Sequence, residues 1–129
     1  MMTPMQNGRV EAIFDDAEYL LREAVRELDE GYLRNSAEKA WAATKRATDA
    51  LILSRTGEEP ETTAVTTREL HRLASGYGQV EGLVGRYHTR ASYLHGLCFY
   101  MGMCEPEGEI ERRIRETEAY IHDARNLST

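Results

Sequence analysis

At 129 residues the chain has the size of one domain, and it is long enough to bury a core without staples. Its 22 acidic residues against 16 Lys and Arg give a formal net charge of −6, which argues against broad electrostatic binding to nucleic acid or to an anionic membrane. No charged-then-apolar leader opens the chain and no apolar run approaches ~20 residues, so neither a signal peptide nor a membrane span is expected.

The first helix is expected from about Gly8 to Glu30. Val10, Ile13, Phe14, Ala17, Leu20, Leu21, Ala24, Val25 and Leu28 recur at three- and four-residue spacing, the stripe of a half-buried helix. Gly31 supplies a stop. Asn35 followed by Glu38 fits a capping box and opens a second helix, from about Ser36 to Ser54. Its inner face is Ala37, Ala40, Trp41, Thr44, Ala47, Thr48, Leu51 and Ile52, and so many alanines imply close approach of a neighbour. Gly57 is a C-terminal stop, and Glu58 to Val65 reads as a polar loop. Thr66 with Glu69 repeats the capping-box pattern for a third helix carrying Leu70, Leu73, Ala74, Tyr77 and Val80, with a break or kink near Gly76 and Gly78. A fourth helix is expected over Gly85 to Met103. A fifth has Pro106 in its first turn and Ile110, Ile114, Thr117, Ile121 and Ala124 on its buried face. No stretch alternates with period two. The expected fold is all-α, an antiparallel up-and-down bundle of four to five helices in a single domain spanning residues 1–129.

Cys98 and Cys104 lie six positions apart in or near one expected helix, a poor geometry for pairing, so a reducing, cytoplasmic setting is the simpler reading. His88 and His95 share a helix face but sit about 10 Å apart along the axis, too far for one ion. No metal site or cofactor is expected. His71 reads as a surface or capping residue and His122 as exposed. Trp41 is a core anchor or a base-stacking platform. Tyr87, Tyr93, Phe99 and Tyr100 make the fourth helix aromatic-rich, either as core and dimer face or as a stacking surface. The mixed run from Glu109 to Glu118 reads as a solvated face with pairs such as Glu109–Arg113 and Glu111–Arg115.

Three stretches stand out in order. They are Ala37-Glu38-Lys39-Ala40-Trp41-Ala42-Ala43-Thr44, then Thr67-Arg68-Glu69-Leu70, then Ala91-Ser92-Tyr93-Leu94-His95 with Phe99-Tyr100. With the helix that starts near Glu107, this series resembles the HEPN superfamily, and within it the archaeal PaREP-type family, over about Val10 to Asn126. The resemblance implies a compact antiparallel helical bundle, usually dimeric. Catalytic members of the superfamily are metal-independent ribonucleases with an Arg-x4–6-His motif, which here falls on Arg90 and His95. Active members usually carry a polar residue directly after the arginine, whereas this chain has Ala91.

On a regular helix, five positions turn through roughly 140°, so Arg90 and His95 are expected on opposite edges of the Tyr87, Ala91, Leu94, Cys98 and Met101 stripe. A joint site then needs a second copy of the chain, with that stripe as the interface. His95 could move protons at the ribose 2′-hydroxyl or the leaving oxygen, and Arg90 could clamp the scissile phosphate. Two functions are carried forward. One is a non-catalytic cytoplasmic oligomeric interaction module, with a nucleotidyltransferase-like protein as a possible partner. The other is an endoribonuclease acting through Arg90 and His95 on RNA at a dimer cleft. Neither involves a membrane.

Overall fold

The computed structural model describes residues Thr3 to Ser128, and no β-strand occurs among them. Helix α1 spans Pro4–Asp29 and starts before Gly8 because Thr3 and Gln6 cap it reciprocally. Thr3 Oγ1 accepts from the Gln6 N–H at 3.2 Å, and Gln6 Oε1 accepts from the Thr3 N–H at 3.0 Å. Its stripe buries Val10, Ile13, Phe14, Ala17 and Ala24. Gly31, at φ +91°, lets the chain reverse as expected.

Helix α2, Leu33–Thr56, begins ahead of the Asn35–Glu38 pattern, so that pattern is not its cap. Tyr32 occupies the N-cap position without a side-chain hydrogen bond. The α1–α2 pair is an antiparallel hairpin. Ser36 Oγ donates to the Ala24 carbonyl at 2.6 Å, and Lys39 reaches Glu27 at 2.6 Å. Further along, Arg46 pairs with Asp16 at 3.0 Å, and the far end closes where Gln6 Nε2 donates to the Gly57 carbonyl at 3.1 Å. Every residue from Ala47 to Ser54 is buried. The expected single inner face is thus corrected: α2 is central, with α1 and the later helices packed around it. Its alanines at positions 37, 40, 43, 47 and 50 are fully buried and keep the neighbouring backbones near.

Helix α3 spans Thr63–Gly76 and its N-cap is Thr62, whose Oγ1 accepts from the Val65 N–H at 3.2 Å. Thr66 lies inside the helix, where its hydroxyl donates to the buried Asp49 carboxylate at 2.6 Å. The expected break at the glycines is present. A 3-10 turn over Gly78–Val80 leads into α4, Glu81–Arg90.

Beyond Arg90 the winding changes. Ala91–Tyr100 is a π-helix, in which hydrogen bonds reach back five residues rather than four. The expected α-helix over Gly85 to Met103 is corrected at both ends and in pitch. The chain then turns back through Gly102, at φ +72°, and Cys98 and Cys104 are joined in a disulfide with Cα atoms 4.2 Å apart. Pairing looked unfavourable only if both cysteines sat on one helix, and Cys104 lies outside it. The bridge also removes the cysteine argument for a reducing compartment.

The Glu105–Pro106 peptide is cis, and Pro106 is the N-cap of α5, Glu107–Arg115, rather than part of its first turn. The expected last helix is interrupted at Glu116 (φ −70°, ψ −7°), and α6 follows as Thr117–Leu127. Ile110, Ile114, Thr117, Ile121 and Ala124 are buried as a stripe, joined by Tyr120, whose hydroxyl meets that of Thr48 at 2.7 Å. No helix among the described residues is long and apolar enough to cross a membrane.

Candidate functional site

Arg90 closes α4 and is 5 % exposed. Its Nε donates to Thr44 Oγ1 on α2 at 2.8 Å and its Nη1 to the Arg113 carbonyl at 2.9 Å, while Nη2 donates to Thr117 Oγ1. The fork thus ties α2, the end of α5 and the start of α6 together at one point. Burial lowers its pKa from the usual 12.5 to about 10, aided by the like charges of Arg86 and Arg113 and opposed by Tyr120 and Glu116. It therefore remains a cation at neutral pH.

His95 sits in the π-helical segment and is exposed. Its Nδ1 lies 2.8 Å and 3.1 Å from the two carboxylate oxygens of Glu38 on α2. Its ring stands 6.2 Å from Trp41 and 6.3 Å from Phe99. Trp41 is 7 % exposed and edges onto Tyr87 at 5.2 Å, which makes it an anchor between α2 and α4.

The expectation of opposite helix edges is also corrected. Because the π turn holds more residues, positions five apart come back towards one side. Arg90 and His95 accordingly both face α2, through Thr44 and Glu38. They still do different work, since the arginine is sealed in the core and the histidine lies at the surface. Arg90 lines a cavity of about 340 Å³ with Arg86, Arg113 and Glu116, and His95 does not line it. A larger groove of about 940 Å³ between α1, α5 and α6 holds neither residue; Leu21 and Ile121 contribute apolar surface there, beside Glu18, Arg112 and Arg125.

The expected interface stripe resolves into two parts. Tyr87, Leu94 and Cys98 are 1 %, 0 % and 0 % exposed and belong to this chain's own core, so they offer nothing to a second copy. Ala91 is partly buried against that core. Only Met101, 62 % exposed, presents a side chain to solvent, close in sequence to exposed Tyr100 and Met103. Arg34 Nε donates to the Phe99 carbonyl at 2.6 Å and its Nη2 to that of Tyr100 at 3.2 Å, fixing this end of the π segment beside the α1–α2 turn.

Three residues of this region had no function in the sequence pattern. Glu38 read as a capping residue, and Thr44 and Thr117 read as positions on buried stripes. Nothing in the order of residues marks a partner that is 57 positions away from His95. Among the described residues no group of three or more His, Cys, Asp or Glu is gathered for a metal ion.

The fold and site define an all-helical protein whose Arg-x4-His segment is wound as a π-helix against a central helix. The model of the archaeal PaREP1/PaREP8 family matches residues 12–124, and the chain belongs to that family. Comparison with curated proteins and with solved structures gave no match.

Proposed function

We propose that the protein is a HEPN-type bundle that acts in the cytoplasm as a non-catalytic, homo-oligomeric interaction module. The observation that carries this reading is the burial of Arg90. A phosphate clamp has to offer its guanidinium to a ligand, and here each of its three nitrogens already donates to a protein oxygen. Tyr100, Met101 and Met103, together at one end of the chain's fourth helical run, are the apolar surface assigned to self-association. A nucleotidyltransferase-like protein remains the proposed heterologous partner. The disulfide stands against this location unless the source is a hyperthermophile, whose intracellular proteins are disulfide-rich.

A second reading, metal-independent ribonuclease, draws on one observation. His95 is exposed, and Glu38 orients its ring as a carboxylate orients a general base. The test is incubation of the purified protein with mixed RNA in EDTA, alongside His95→Ala. No cleavage by either protein is expected. Cleavage by the wild type that disappears in His95→Ala would overturn the non-catalytic reading. Light scattering of the wild type is expected to give a mass at or above that of a dimer, and a monomer at micromolar concentration would remove the oligomeric part.

A further inference from the structure

His71 on α3 and His88 on α4 meet tip to tip. Their Nε2 atoms are 2.7 Å apart and their ring centroids 4.9 Å. Both rings are exposed, and the Tyr87 and His88 rings stand perpendicular with centroids 5.4 Å apart. At this distance one Nε2 can donate to the other, the tautomers setting which ring is the donor. Two sp² nitrogens from different helices are thereby held within a metal bond of a common point. The rest of the molecule does not use this pair: it belongs neither to the core nor to the Arg90 and His95 region.

We infer that His71 and His88 form a two-nitrogen chelate for a divalent transition-metal ion of tetragonal preference, Cu²⁺ or Ni²⁺, with water filling the remaining positions. The separation decides the class. With metal–nitrogen bonds of about 2.0–2.1 Å, nitrogens 2.7 Å apart subtend roughly 80–85° at the ion. Opening them to about 2.9 Å gives the right angle between neighbouring ligands of a square-planar or octahedral ion. A tetrahedral ion needs about 3.3–3.4 Å, a wider opening of the two rings. The intrinsic order of divalent affinities also puts Cu²⁺ first. The rings meet nearly head-on, so each has to swing to aim Nε2 at the ion, and the donor ring's proton moves from Nε2 to Nδ1, which frees the second lone pair while both imidazoles stay neutral; their exposure leaves room for this. Bound there, an ion would clamp α3 to α4 across the Gly78–Val80 turn that joins them. With two protein ligands only, the ion would exchange readily.

The experiment is calorimetric titration of CuCl₂ and of NiCl₂ into the chelator-free full chain, with the thermal midpoint followed in parallel. One Cu²⁺ per chain is expected at this site, with a higher midpoint and an electron paramagnetic resonance spectrum of two-nitrogen ligation. His71→Gln and His88→Gln should each weaken Cu²⁺ binding at least tenfold while keeping the helical circular dichroism. Glutamine can still hydrogen-bond the remaining ring, so the fold is not put at risk. His95→Gln should bind as the wild type does. The inference is overturned if the wild type takes up no Cu²⁺, or if His71→Gln retains the wild-type affinity and spectrum.

Discussion

The Nε–H of Arg90 donates to Thr44 Oγ1 across 2.8 Å at a point where both side chains are buried. The guanidinium is charged there at neutral pH, so its hydrogen bonds offset a desolvation cost rather than adding stability freely. Arg90→Lys keeps the charge but gives up the planar fork, and is expected to cost about 2–3 kcal/mol in urea denaturation. Arg90→Met removes every donor from Thr44 Oγ1, the Arg113 carbonyl and Thr117 Oγ1, so its cost should be larger. The opposite ranking would show that the desolvation cost of the charge outweighs these hydrogen bonds.

Asp49 is 1 % exposed, accepts from Thr66 at 2.6 Å and pairs with Lys45 at 3.0 Å and Arg46 at 3.6 Å. It anchors α3 to α2. Asp49→Ala is expected to lower stability by about 2–4 kcal/mol, because two cations lose a shared buried partner. Thr66→Val should cost less, roughly 1 kcal/mol. Chemical denaturation of both variants checks the order.

Glu59 is held below the usual carboxylate value of 4.5, first by its hydrogen bond from Arg9 and also by the charges of Arg9, Arg46 and Lys45. A depressed folded-state pKa contributes stability that is present above the unfolded value and is lost as pH falls through the folded one. Glu59→Gln is therefore expected to be less stable than the wild type at pH 7, by no more than about 1 kcal/mol given the solvent screening of this pair. The gap should close as pH drops below about 4. A constant gap from pH 7 to pH 3 would rule out this linkage.

Leu94 is fully buried and Met101 is 62 % exposed, although both lie on the same expected stripe. Leu94→Glu places a carboxylate in the core and should abolish cooperative folding. Met101→Glu should change the unfolding free energy by no more than about 0.5 kcal/mol. If the proposed surface is the right one, it should also lower the mass measured by light scattering. A folded Leu94→Glu monomer would instead return the interface to the original stripe.

The helices were legible where apolar spacing is long and regular. The α1 stripe from Val10 to Ala24 and the Ile110-to-Ala124 stripe both lie in the core. Glycine stops at Gly31 and Gly57 were legible too, because a positive φ is a local requirement. Short capping patterns were not. Asn35–Glu38 and Thr66–Glu69 fall inside helices whose N-caps are Tyr32 and Thr62, and Glu38 instead meets His95 while Thr66 meets Asp49. Neither attraction is local in sequence. The π winding after Arg90 had no visible marker, and it alone changes which way His95 faces relative to Arg90. The break at Glu116 was missed for a similar reason: no glycine or proline stands there, and the apolar stripe runs straight through.

The covalent link between Cys98 and Cys104 closes the stretch that carries Tyr100, Met101 and Met103 into a small ring. An apolar loop of that kind would ordinarily lose many backbone conformations on meeting a partner. Here part of that backbone loss has already been taken when the chain folded and the bond formed, so the three side chains stand on a constrained loop. A surface prepared this way favours slow dissociation from a matching surface without needing a large contact area.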